Sequence, residues 1–204
     1  MIIARAVAQA RSGELNNLSS VKFSDDKIIE YINLGVIELY KRFNLATGEA
    51  IVTMRAGKTI YKLDGSDVDV NLEGPFMYIQ GVYDESGEEM TVNAERDPLS
   101  ILTPSYNTIQ VPSPADGDVL SVIYGEEPPY ATAVTDVLAI PVTLLEALLN
   151  YVGYRAHGAV DGNIRAENST HYQRFEQSVA RAKALGVVNS DDVLNTTTEE
   201  KGFV

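Results

Sequence analysis

The chain has 204 residues, 45% of them hydrophobic, with 16 Lys+Arg against 29 Asp+Glu for a formal net charge of −13, and it has no cysteine. That length supports one core, or a core with a small satellite module. The charge excludes tight binding along a phosphate backbone, which needs clustered Lys and Arg, and the missing cysteines exclude disulfides, thiolate nucleophiles and thiolate metal sites.

Residues 2–10 carry Arg5 inside an apolar stretch and lack a charged lead, so no signal peptide is expected there. No run reaches the ~20 apolar residues of a membrane span, and folding in a reducing cytoplasm is expected. Ile2, Ile3, Ala6, Val7 and Ala10 recur at helical spacing until Ser12-Gly13, which predicts a short amphipathic helix. A second helix is predicted over 25–43. Ser24 caps it, Asp25 and Asp26 suit the positive end of its dipole, and Phe23 staples onto Ile28. Its apolar face is Ile28, Ile29, Ile32, Val36, Leu39, Tyr40 and Phe43.

From Ala50 the period changes to that of strands. Residues 51–54 and 60–63 flank Arg55-Ala56-Gly57-Lys58, which predicts a hairpin. A second pair is predicted from 76–83 through the turn Asp84-Glu85-Ser86-Gly87 to 90–92. Further strands are predicted at 108–111 and 119–124, with Asp116-Gly117 between them and a short helical turn near 98–102. Pro128-Pro129 closes the module.

Pro141 opens a third helix at its first position, followed by Leu144, Leu145, Leu148, Leu149 and Val152, with Arg155 and His157 in the last turn. After the Asp161-Gly162 break a fourth helix runs to about Leu185, carrying Tyr172, Phe175, Val179, Ala182 and Leu185, with Gly186 as its C-cap. These two helices would be about 27 and 35 Å long and antiparallel neighbours. Residues 188–204 are too polar to fold alone and predict a flexible tail, ending in the apolar Phe203 and Val204 as a candidate partner anchor.

The expected class is therefore α+β: an antiparallel helix bundle of about four helices with an inserted β-rich module and an extended C-terminal tail. The expected division is 1–48 and 130–187 for the two halves of the bundle, 49–129 for the β-rich insertion and 188–204 for the tail.

No cluster announces chemistry. Ala56-Gly57-Lys58-Thr59 resembles the end of a phosphate-binding loop, but Val52 stands where that motif needs glycine, and the loop lies between strands. Asp67, Asp69, Asn71 and Glu73 alternate as calcium ligands do, yet Leu72 occupies the required glycine position; a solvated edge or turn is the simpler reading. His157 and His171 lie on different predicted helices, with a dipole role for the first and a surface or helix-interface role for the second. The tyrosines of the middle region, Tyr78, Tyr83, Tyr106, Tyr124 and Tyr130, lack the interleaved bases of a nucleic-acid platform and suit half-buried packing or protein contacts. No catalytic, cofactor or metal residue is assigned.

Ser24-Asp25-Asp26-Lys27-Ile28-Ile29-Glu30-Tyr31-Ile32-Asn33-Leu34-Gly35, followed by 36–40, resembles the early helix of tailed-phage head-to-tail adaptor proteins. So do Ile140-Pro141-Val142 through Asn150-Tyr151-Val152-Gly153-Tyr154-Arg155-Ala156, Asp161, and His171-Tyr172 to Phe175. The resemblance is one of pattern and order over the helical parts. It implies a non-enzymatic virion protein made in the host cytoplasm and placed at the head–tail junction. There it would form a twelve-subunit ring between the portal protein and the tail tube or nozzle. Genomic DNA would pass through without specific binding, with no cofactor and no membrane. Two other readings stand beside it: a virion-associated hydrolase using Asp64, Asp67 and Asp69 in a cleft of the β module, and a tail-completion or assembly chaperone.

Overall fold

The computed structural model describes residues 2–20, 22–161 and 170–186, an α+β arrangement with four α-helices among them and antiparallel sheets. It divides into two units, one of residues 1–45 and 129–204, the other Ala46–Pro128.

In the first unit, α1 (Ile3–Ser12) buries Ile3, Ala6, Val7 and Ala10. Ile2 departs from the predicted stripe: it is extended, 52% exposed and bridged to Val137. The first N–H groups of α1 would otherwise be orphaned, and those of Ile3 and Ala4 donate to the carbonyls of Asp136 and Val134 at 2.9 and 2.7 Å. Helix α2 (Asp25–Arg42) starts where its local signals place it, with Ser24 Oγ accepting from Lys27 N–H at 3.3 Å. Its whole predicted face is buried, as is Phe23.

Pro141 is extended at φ −58° and ψ 145° and precedes a 3-10 turn, Val142–Leu144; α3 (Leu145–Asp161) begins only after it. Proline's carbonyl takes the Leu144 N–H at 3.0 Å, which tightens the first turn and displaces the predicted helix start. Because α3 stays helical to Asp161, Arg155 and His157 lie inside it and not in its last turn. Helix α4 (Thr170–Ala184) buries Phe175, Val179 and Ala182, leaves Leu185 68% exposed, and is capped by Gly186, whose N–H reaches Lys183 O at 3.0 Å. Ring contacts Tyr151–Phe175, Tyr154–Tyr172 and His157–His171 pair rising numbers on α3 with falling numbers on α4, so the two helices are antiparallel.

The second unit holds β1 (Thr47–Thr53), β2 (Ile60–Lys62), β3 (Val70–Leu72), β4 (Phe76–Tyr83), β5 (Leu102–Ser105), β6 (Thr108–Gln110) and β7 (Val119–Glu126). One sheet has the order β3-β1-β7-β4 and the other β2-β6-β5, all antiparallel. The predicted hairpin of 51–54 with 60–63 does not form. β1 pairs with β3 and β7, while β2 pairs with β6, so the turn at Gly57 (φ +81°) carries the chain from one sheet to the other. The turn at 84–87 forms, with Asp84 N–H bonded to Glu88 O at 3.0 Å, but its return onto β4 stops at the bridge Tyr83↔Glu89 and the bond of Met90 N–H to Val82 O at 2.8 Å, and Val92 bridges to Ile101 instead. The predicted helical turn at 98–102 is instead a turn leading into β5. The inner faces of both sheets share one core that includes Val52, Tyr61, Val82, Ile109, Leu120 and Val122.

Candidate functional site

Buried polar groups hold the first unit together. Asn33, 4% exposed in the middle of α2, donates from Nδ2 to Ala131 O at 2.8 Å and accepts Ala131 N–H on Oδ1 at 3.0 Å. An amide side chain thus does what a neighbouring strand would do, and it fixes the returning chain against α2. Arg42 extends from α2 to Glu176 on α4 at 2.7 Å and to Glu38 at 2.8 Å, with its guanidinium 4.9 Å from the Phe175 ring centre. The hydrogen bond that Arg42 donates to Glu176 raises the Arg42 pKa, and that same bond holds the Glu176 carboxyl below its ordinary value. No sequence signal marks either group as a clamp, because Ala131 and Glu176 lie far along the chain from Asn33 and Arg42.

The two histidines meet. Their rings stack 4.7 Å apart at 14°, His157 Nε2 lies 2.9 Å from Glu14 O, and His171 Nδ1 lies 3.1 Å from Glu14 Oε2. The last contact is close, but its direction is wrong for a hydrogen bond, and His171 Nδ1 is left unsatisfied. Burial, then the neighbouring His157, push the His171 pKa down from 6.5, against the pull of Glu14. Stacked rings do not converge on a point as ligands must, and among the described residues no group of three or more His, Cys, Asp or Glu is disposed to hold a metal. The interface role expected of His171 describes it; the dipole role expected of His157 does not.

In the second unit the acids proposed for hydrolysis are spent on bases and turns. Lys58 Nζ sits 2.5 Å from Asp67 and 2.8 Å from Asp69, and Arg55 reaches Asp69 at 2.5 Å. Asp64 accepts from Ser66 N–H and hydroxyl at 2.9 and 2.5 Å. A shared-proton carboxylate dyad needs one raised pKa. Asp64 is instead lowered, chiefly by the Ser66 hydroxyl, and Asp67 is lowered by Lys58 and two backbone N–H donors against its burial. The Lys58 of the supposed phosphate loop is thus the partner of these acids, and Val70–Leu72 is a strand, as the alternation at 67–73 permits.

Tyr124 is fully buried with its hydroxyl on Gly74, Tyr78 and Tyr83 are half-buried, and Tyr106 and Tyr130 stand 75% and 64% exposed. The tyrosines therefore divide between packing and surface. Phe203 and Val204 lie outside the described residues. Two surface features remain. A groove of about 410 Å³ in the second unit has an apolar floor and an acidic rim, and a polar hollow of about 340 Å³ in the first unit is lined by Glu14, Glu146 and the α4 residues Arg174 and Arg181. No described helix is long and apolar enough to cross a membrane.

No curated protein is similar enough to the chain to be matched with it. The family model of the SU10 adaptor protein matches residues 2–197. That span takes in both units, so the helices and the sheets belong to the family's pattern together. The chain belongs to the SU10 adaptor protein family, a family of phage adaptor structural proteins.

Proposed function

We propose that the protein assembles as a ring, twelve subunits round, that joins the portal protein to the tail tube or nozzle at the head–tail junction and passes the genome without binding it specifically. The observation that carries this reading is the family match over 2–197. In this reading the helices form an antiparallel bundle, 1–48 with 130–187, and 49–129 is a module inserted into it. Ring closure needs two different complementary faces on each subunit. The outer strands β3 of one sheet and β2 of the other offer edges for such contacts. Each copy adds a formal charge of −13, and wherever that charge faces a channel it repels duplex phosphates and lets DNA slide. The 188–204 tail docks through Phe203 and Val204 on the portal or a neighbouring subunit.

The test is electron microscopy of the protein mixed with purified portal rings, together with mass spectrometry of purified virions. A ring beneath the portal and retention in the particle are expected. A protein that leaves the mature particle is an assembly chaperone, and one absent from the junction is no adaptor. Deleting 188–204 is expected to spare the helical circular-dichroism signal and abolish portal pull-down, and undiminished pull-down refutes the docking role of the tail.

A further inference from the structure

A ring of copies that are each strongly acidic gains from setting bases of one copy against acids of its neighbour. Five of the fourteen described Lys and Arg are already used at home: Arg11 on Asp25, Lys27 on Glu30, Arg42 on Glu38 and Glu176, and Arg55 and Lys58 on Asp67 and Asp69. Of the others, three lie together on α4. Arg174 and Arg181 are exposed and form no ion pair with any described residue, and with Ser178 they line a hollow of about 340 Å³ that also holds Glu14 and Glu146. Arg174, Ser178, Arg181 and Leu185 stand at i, i+4, i+7 and i+11, which aligns them on one stripe of the helix. Leu185 extends the helical hydrogen bonding through Arg181 O at 3.0 Å, so the stripe ends in an apolar tip that is 68% exposed.

The groove of the second unit is its complement. Its floor includes the buried Met54, Ile101 and Leu120, and its rim carries Asp84, Glu85 and Asp118, with no Lys or Arg among the residues that line it. Asp84 is committed to capping its own turn, and Glu85 accepts Val119 N–H at 2.9 Å, which fixes both carboxylates at the rim. Asp118 is exposed, and its side chain accepts no hydrogen bond from a described residue. Leu99 stands on the lip at 62% exposure. A leucine on a basic stripe matches an apolar floor inside an acidic rim in shape, polarity and charge.

We propose that the α4 stripe of one copy seats in this groove of the next copy, Leu185 entering beside Leu99 and Arg181 meeting Asp118 and Glu85. The inference rests on the ring reading and names the two faces that close the ring. It is a heterologous contact, since the two faces differ and each copy presents both.

The absence of cysteine makes the test clean. Leu99→Cys and Leu185→Cys each introduce one thiol at an exposed position. The two single variants are mixed, assembled with portal protein and treated with a short bis-maleimide. Crosslinked dimers are expected in the mixture at roughly tenfold or more over either variant alone, the pattern that a head-to-tail contact requires. A second measurement uses charge. Arg181→Glu is expected to weaken assembly roughly tenfold, and Asp118→Lys in the same chain to restore it. Rings visible by microscopy without the mixed crosslink, or an Arg181→Glu protein that assembles normally, overturn this contact while leaving the ring reading in place. No ring under any condition overturns the ring reading itself.

Discussion

At the scale of the residue, Asn33 is the position whose loss should be felt most out of proportion to its size. Its amide satisfies both backbone groups of Ala131, and nothing apolar can replace those bonds. Asn33→Ala leaves a buried donor and acceptor unpaired, at about 1–3 kcal/mol each before any relaxation, so a loss of ~2–4 kcal/mol is expected from urea unfolding. A change below about 1 kcal/mol shows that water replaces the amide. Asn33 was illegible in the sequence because its partner lies 98 residues away. Ser24 was legible, because a cap is written within three residues. His171 supplies a pH-dependent counterpart. Glu14 from the loop after α1, His157 from α3 and Arg174 from α4 face it, and burial holds its folded pKa below the ordinary 6.5. Below 6.5 the unfolded chain takes up a proton that the folded His171 resists. The unfolded state then binds more protons, and stability falls as pH drops from 6.5 through the depressed folded value. Glu176 and Asp67, lowered from 4.5 and 3.8, lose their contributions only at lower pH. The urea midpoint should therefore fall between pH 7.5 and 5.5, and fall less in His171→Gln; equal slopes for the two proteins would remove His171 as the cause.

At the scale of the element, helices were legible to within a few residues and strand partners were not. The reason is that a helix satisfies its own backbone while a strand depends on a partner chosen by the whole module. The segment 51–63 has every local mark of a hairpin, yet β1 lies between β3 and β7, where Ala50 and Val52 are completely buried. A seven-residue strand buries more by sitting centrally than by pairing with a three-residue neighbour. The surface groove was hidden for the same reason, since it gathers residues scattered from Met54 to Leu120. Gly35 gives this scale its prediction. In α2 a glycine costs roughly 0.5–1 kcal/mol relative to alanine, so Gly35→Ala would stabilise an isolated helix. Here an added Cβ would fall 2.5 Å from Leu148 Cδ1 and 3.1 Å from Tyr151 Cδ1 on α3, and Leu148 is completely buried. Overpacking of this kind costs about 1–3 kcal/mol, so Gly35→Ala should lower the urea midpoint, and Gly35→Val should lower it further. A stabilised Gly35→Ala protein would mean that α2 and α3 part without penalty.

At the scale of the whole molecule, the two units make a prediction about cooperativity. The second unit begins at Ala46 and ends at Pro128, and its entry and exit run side by side: Glu126 N–H donates to Ala46 O at 3.0 Å, and Thr47 is paired with Gly125. Antiparallel partners stand about 4.5–5.5 Å apart, so closing the gap costs a short linker little entropy. The first unit keeps its own buried face on every helix, and its clamps join residues of that unit alone: Asn33 to Ala131, Tyr40 to Ala139, Arg42 to Glu176. The second unit has its own core, with Val52, Tyr61 and Val122 all completely buried. Replacing residues 46–128 with a Gly/Ser linker of about six residues should therefore leave a helical protein that unfolds in one cooperative transition, and residues 46–128 expressed alone should give a β-type spectrum. The excised helical protein retains Arg174, Arg181 and Leu185 but has no groove to receive them. It should remain unassembled when mixed with portal protein, and in mixtures with the full chain it should cap open arcs and lower the yield of closed rings. A helical remnant that closes rings by itself would move the subunit contact entirely onto the helices.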